Sequence, residues 1–529
     1  MKLFNILVFT SVVTMSSGTA YSEGHEAHSH RSHIKCQTPL QAENTGYFAA
    51  KTATRSEREK SAVSADGHFR VHYDTSGWFA PDQTDNDKNG IPDYVDSTLE
   101  HFEYAWDLQI NVLGYNEPPS DHGLGGGDEV DCYITNYGST PYYGGTFYDT
   151  FILKGSTSSH IVIDNGYTEA QYSTSGDDAL KVTTAHEFFH VVQFGYMYST
   201  GLSWWTEQSA VWMEEYAWPE VNDYLQYIND FMLMENTSLS HSNGAFEYGA
   251  GIWPMFLAKE FGDDIIKSSW ERYAEGDNLS ISALDDVIPD GLANAYSEFG
   301  IWNYFTKDRA NTYDFYSDGD QFPYTVSMDW QAMSKPADGD FSANALTTKY
   351  IELLFASNFS SNILDIKVSP SGSAQLKSSL ILFDDSESYE IHALESNQGT
   401  VSLLQTWEKA VLAVSCTNPY GSGYKFSFDA DISSVSVDED SPLAFAIGSA
   451  WPNPFNPATT ISFTMQDAGH VSAMVYNVSG QLVETLVNSE LDAGEKSIIW
   501  KPDNLSGGVY MVRIATAHGT KTVKTLYLK

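Results

Sequence analysis

A chain of 529 residues with 42% hydrophobic and 14% aromatic side chains can fill several packed cores, which excludes wholesale disorder. Its 28 Lys and Arg stand against 70 Asp and Glu, a formal charge of −42 that repels nucleic-acid phosphates and anionic lipid. No nucleic-acid partner is therefore expected; no transmembrane helix is expected either, because no apolar run is long and unbroken enough, and the acidity suits an exported protein that holds divalent cations.

Residues 1–20 place one lysine before an apolar run that ends in small residues at Gly18 and Ala20, the pattern of a secretory signal peptide. Residues 21–62 are polar, with "HEAHSHRSH" and "TRSEREKS", and read as a leader or pro-segment open to proteases. The chain holds three cysteines, Cys36, Cys132 and Cys416, enough for a single internal disulfide. Cys36–Cys132 is the expected pair. The alternative is that Cys36 belongs to a pro-segment and caps a metal as a thiolate.

Strand-like runs ("FRVHY", "DEVDCYITN", "SSHIVIDN") followed by long helical stretches predict an α+β domain over 63–335. Within it "DNDKNGIPDYVD" offers oxygens at Asp85, Asp87, Asn89, the Ile91 carbonyl, Asp93 and Asp96. These are positions 1, 3, 5, 7, 9 and 12 of an EF-hand-type loop, with Gly90 at the sharp turn, and they predict structural calcium. The other reading is an Asx-rich turn capping the next helix.

Further on, HEFFH lies in a proline-free helical run. His186 and His190, four residues apart, share one helix face and can point at one ion, with Glu187 beside them to handle a proton. A catalytic zinc takes three protein ligands and keeps one position open. Gln193 and Tyr196 stand where a metzincin needs glycine and histidine, so that class is excluded. Glu207, 17 residues on in the following "WWTEQSAVWMEE" helix, can present a carboxylate from a second helix, as can its rival Glu214, two turns below it on the same face.

HEFFH, the WxxExxAxWxEE stretch and the preceding DxNGxPDYV segment together resemble a group of secreted bacterial zinc metalloproteases of the gluzincin type, over about 65–310. The resemblance implies a zincin-like catalytic domain in which His186, His190 and Glu207 hold zinc and Glu187 is the general base for attack of water on a peptide carbonyl. It also favours Tyr248 over His241 as the donor to the oxyanion. The segment 158–165 is the expected edge strand for an extended peptide substrate. The chain lacks the Gly-x-Met-Glu-Asn signature of zinc aminopeptidases, which favours an endopeptidase.

Short β runs over 336–434 predict a β-sandwich, and 435–445 a linker. Residues 446–529 alternate again as an immunoglobulin-like β module, so two all-β domains are expected to follow the catalytic one. "PNPFNP", "VYNVSGQ", "SGGVY" and the terminal lysine resemble the C-terminal sorting domain of the type IX secretion system. That implies export, release or surface attachment, and a partnership with the secretion machinery. A non-catalytic surface adhesin with a structural or vestigial metal site is the alternative. A metal-dependent esterase or glycosidase lacks a GxSxG elbow or an evident carboxylate pair.

Overall fold

Five strands form the first sheet: β1 (Lys60–Val63), β2 (Phe69–Tyr73), β3 (Val130–Thr135), β4 (Gly144–Leu153) and β5 (Ser156–Asp164). Their order is β1-β2-β3-β5-β4, with β2, β3 and β5 parallel and an antiparallel strand at each edge. This computed structural model describes residues 35–38, 55–153, 155–330, 337–355, 363–384, 388–403, 407–433, 446–453, 455–465, 467–477, 482–502, 505–516 and 519–529. The expected signal peptide, histidine-rich tract and linker lie outside them.

β2 shows the period of a strand with one buried face, Phe69, Val71 and Tyr73 inward and Arg70 and His72 half-exposed. β5 is buried on both faces, as an interior strand must be. The expected edge at 158–165 is therefore corrected: β5 lies between β3 and β4, and β4 is the edge.

Two helices, α1 (Asp93–Trp106) and α2 (Gly176–Tyr196), pack on this sheet and on each other, and α3 (Ser203–Ala217) packs on α2. α2 begins with Asp177 and Asp178, whose charges suit the positive end of the helix dipole, and proline is absent throughout. From Val182 to Phe194 every residue is buried, the polar Thr183, Thr184, His186, Glu187, His190 and Gln193 included, so this part of the helix is enclosed on every side. Phe188 seals it against the sheet, its ring 5.0 Å from that of Phe69 and 5.5 Å from that of Trp106. Truncating such a ring in a filled core costs about 3–5 kcal/mol. Further helices, α4 (Ile252–Phe261), α5 (Asp264–Ala274) and α6 (Leu292–Trp302), complete an aromatic core around Trp253, Phe256 and Phe299.

Two facing sheets follow, with strand orders β11-β10-β13-β8-β6 and β12-β9-β14-β7. The strands are β6 (Ser327–Trp330), β7 (Ala337–Ala343), β8 (Thr347–Leu354), β9 (Ile363–Ser371), β10 (Leu376–Asp384), β11 (Tyr389–Ala393), β12 (Gln398–Ser402), β13 (Trp407–Cys416) and β14 (Tyr424–Ser433). One face of the first sheet closes the sandwich core. The other, through Tyr350, Ile381, Phe383, Val411 and Ala413, joins the core of the preceding helices. The sheets of the region expected at 336–434 share that core, and the chain separates into two compact units between Ser433 and Ser434.

Among the described residues the second unit has seven strands in two sheets, ordered β15-β16-β19 and β18-β17-β20-β21. They are β15 (Ala446–Trp451), β16 (Thr459–Met465), β17 (Gly469–Asn477), β18 (Leu482–Leu491), β19 (Gly494–Trp500), β20 (Gly508–Thr516) and β21 (Gly519–Tyr527). Phe455 explains the proline-flanked motif before β16: its ring is buried against Trp500 and Tyr527, and its backbone bonds Leu526 and Leu528. The architecture is therefore an α/β region followed by all-β sheets.

Candidate metal centre

α2 carries His186, Glu187 and His190, and α3 crosses it with Glu207 and Glu214 facing inward; all five are 3% exposed or less. Glu207 Oε2 lies 3.2 Å from His186 Nε2, and Glu207 Oε1 lies 3.3 Å from His190 Nε2. Donors about 2.0–2.1 Å from a tetrahedral ion stand about 3.3 Å apart, so these separations match the edges of a zinc site. His190 Nε2 and Glu207 Oε1 are buried and have no hydrogen-bond partner among the described residues. Two buried donor atoms that face each other at 3.3 Å without a hydrogen bond suit a cation held between them. The residues therefore fit zinc.

Each imidazole is aimed by a second contact. His186 Nδ1 is 2.6 Å from Glu214 Oε1, and His190 Nδ1 is 2.8 Å from Gln193 Oε1, leaving both Nε2 atoms toward Glu207. Gln193 is itself held, donating to the Thr206 carbonyl and to Ser209 Oγ. Glu214 is thus an orienting partner of His186, and Glu207 makes up the triad.

Glu187 is fixed by Thr146 of β4, whose hydroxyl lies 2.8 Å from its Oε2. Gly144 makes room for it: a Cβ there would meet Glu187 Oε1 at 2.8 Å, so this close approach requires glycine. Tyr248 sits on a short helical turn, Phe246–Gly249, pinned by Glu247, which accepts hydrogen bonds from Ser242, Asn243 and Gly244. Its ring centroid is 6.4 Å from that of His186. His241 is exposed and lies against Phe246, away from the cluster.

The segment Lys35–Thr38 also enters the site. Cys36 Sγ falls with the donor atoms of His186, His190 and Glu207 in a group within 4.8 Å of one another. The Cys36 amide donates to Tyr248 Oη at 3.1 Å. Lys35 Nζ is buried between Glu214 Oε2, at 2.5 Å, and Asp223 Oδ2. Removing one partner of so buried a pair costs about 3–5 kcal/mol. The expected Cys36–Cys132 disulfide is corrected: all three cysteines are free, and Cys132 lies within β3.

Charge coupling in this dry cluster is strong. Burial opposes the charge on His186, but Glu207 and Glu214 outweigh it and push its pKa up to about 10. Burial likewise opposes Glu207, yet His190 and His186 hold it down at about 2. Burial raises Glu187, and burial with the neighbouring Glu187 and Glu207 raises the Cys36 thiol. A divalent cation reverses this logic, keeping imidazoles neutral and a coordinating thiol ionised.

The expected leader, 21–62, reaches into the folded sheet. Arg55 is held by Asp121, Asp131 and Asp149, Arg58 donates to the Ile134 carbonyl, and β1 begins at Lys60. Sequence reasoning missed Lys35, Asp223, Thr146 and the use of Gln193 as an imidazole partner. Nothing local marks them, since Lys35 and its acids are 179 and 188 residues apart.

In the acidic loop, Asp85, Asp87 and Asp93 bring one oxygen each within 4.8 Å of one another. Gly90, at φ +91°, makes the turn, and its amide donates to Asp85 Oδ2 at 3.0 Å. Asn89 donates from its side chain to Asp87 and Asp96, and Ile91 N donates to Asn89 Oδ1. Asp93 also accepts from Asn86 N, and no cluster oxygen comes from Asp96. Of the six expected ligands, three carboxylates thus converge, while Asn89 turns its nitrogen to Asp87 and Asp96 and its oxygen to Ile91 N.

Residues 449–529 match a family described as "Secretion system C-terminal sorting domain". The second unit thus directs secretion and cell-surface attachment through the type IX system, whose machinery it engages. No helix among the described residues is long and apolar enough to cross a membrane. No curated protein matches the chain. Among solved structures, it is similar at 13% identity to the glycoside hydrolase domain of Endo-D from Streptococcus pneumoniae R6, with TM-score 0.14 over 36% of this chain and 33% of that one. It is similar at 9% to a beta-1,2-glucanase from Parabacteroides distasonis, with TM-score 0.13 over 37% of each chain. At 7% it is similar to tripeptidyl peptidase 2, with TM-score 0.16 over 39% and 31%. The chain spans about a third of the length of these structures, and likeness this slight carries no argument about activity.

Proposed function

We propose that the chain is a secreted zinc-dependent endopeptidase whose α/β region is a zincin-like catalytic domain. The observation that carries the reading is the convergence of His186, His190 and Glu207, buried, with donor separations of 3.2 and 3.3 Å and two orphaned atoms. Zinc, when bound, acidifies water and polarises a carbonyl oxygen.

The rest of the chemistry belongs to side chains. Glu187, held by Thr146, accepts the proton of the attacking water and delivers it to the departing amine. Burial keeps its pKa above the usual glutamate range, which suits a base that must also act as an acid. The Tyr248 hydroxyl, kept protonated by burial and by Glu207, is the donor for the developing oxyanion. Glu214 and Gln193 hold the two imidazoles in the required orientation.

A peptide substrate is supported by the way the site already receives one. Lys35–Thr38 lies along the free edge of β4, with Tyr143 N donating to the Lys35 carbonyl and Gln37 N to the Gly144 carbonyl. Chain continues on both sides of that segment, as it does in an endopeptidase substrate. Calcium in the 85–96 loop would then brace the start of α1.

A Glu187→Gln substitution is the test. It keeps the side chain's shape and should retain zinc while casein hydrolysis falls about 10²–10⁴-fold. Unchanged turnover in the zinc-loaded variant would end the proposal.

A further inference from the structure

We propose that Lys35–Thr38 is a built-in inhibitor of this centre, with the Cys36 thiolate as the fourth ligand of the zinc. The inference rests on the zinc reading above and extends it to regulation.

A catalytic zinc site keeps one position open, whereas four protein donors close it. His186, His190 and Glu207 supply three donors, and Cys36 Sγ stands in the same group, within 4.8 Å of each. Cys36 is fully buried, as are the unpartnered His190 Nε2 and Glu207 Oε1 that face the same point. Thr38 N also donates to the sulfur at 3.3 Å, a contact that favours the ionised thiolate.

The segment blocks more than the metal. Its main chain takes the hydrogen bonds of the β4 edge at Tyr143 and Gly144, the lane an extended substrate needs. The Cys36 amide occupies the Tyr248 hydroxyl, and Lys35 occupies the free oxygen of Glu214, the carboxylate that orients His186. Thr38 locks the other end, its hydroxyl accepting from Thr146 N at 2.9 Å. Lys35, Cys36 and Thr38 are 6% exposed or less. Metal, substrate lane, oxyanion donor and orienting acid are all engaged by four residues.

Downstream, Arg55 has its own anchorage on Asp121, Asp131 and Asp149. The segment is therefore held at the centre by its own contacts. With zinc bound, release would require Cys36 to leave the metal and take a proton from solvent, and withdrawal of Lys35–Thr38 would open the β4 edge and the site to water.

Zinc-edge X-ray absorption on the full chain, paired with casein hydrolysis, tests this. The parent should show one sulfur neighbour at about 2.3 Å, absent in Cys36→Ser. A segment closed nine-tenths of the time leaves a tenth of the enzyme competent, so Cys36→Ser should raise activity about tenfold or more. Lys35→Met, which leaves the sulfur in place and removes the anchor, should raise activity by less. Zinc without a sulfur neighbour in the parent overturns this proposal and leaves the peptidase reading standing. A sulfur neighbour with no gain in activity in either folded variant overturns the inhibitory role, and a parent that binds no zinc overturns both readings.

Discussion

The acidic loop at 85–96 and the His–Glu centre gather their donors by opposite means. In the loop, all donors come from twelve consecutive residues, Asp87 and Asn89 are exposed, and the carboxylates are partly satisfied by the loop's own amides. In the centre, donors come from two helices and a distant segment, all are buried, and two donor atoms have no other partner. An exposed loop of charges can give up an ion and relax into water. A buried triad cannot, because uncompensated charge and orphaned polar atoms in a dry site are costly. The loop is thus suited to adjustable bracing, and the centre to a permanent ion.

That contrast can be broken or sharpened by substitution. The larger effect is expected at the centre, through a residue that never touches the metal. Gln193→Ala removes the partner of His190 Nδ1 and should weaken zinc binding about 10–100-fold, measured by competition with a chromophoric chelator. Zinc affinity equal to the parent's would show that the imidazole needs no such hold. The smaller effect belongs to the loop. Removing calcium with a calcium-selective chelator should lower the melting temperature by several degrees while zinc content stays constant, and Asp85→Ala should abolish that shift. A melting curve indifferent to calcium would reduce the loop to an Asx-rich turn.

The same contrast explains what could be read beforehand. His186 and His190 lie one helical turn apart, and Asp85, Asp87 and Asp93 fall within one turn-forming window, so spacing alone shows that each group can converge. Glu207 was legible because its helix follows directly. Cys36 was drawn toward a disulfide because an odd cysteine carries no address: its neighbours at the centre lie 150 and more residues away in sequence. Lys35 was invisible for the same reason. The edge strand was misassigned because "SSHIVIDN" shows which residues are apolar, whereas its neighbours in the sheet depend on where β4 folds back. The sandwich was recognised as β structure, but Tyr350 and Phe383, which weld it to the helices, look in sequence like any core aromatics.

The most direct test of the central claim is the zinc content of the purified full chain after exhaustive dialysis, compared with that of Glu207→Gln. The account predicts a single tightly held zinc in the parent and its loss on dialysis from the variant, since Glu207 supplies the carboxylate donor that faces both imidazoles. A parent that emerges free of zinc, or a variant that keeps it as firmly, would contradict the account.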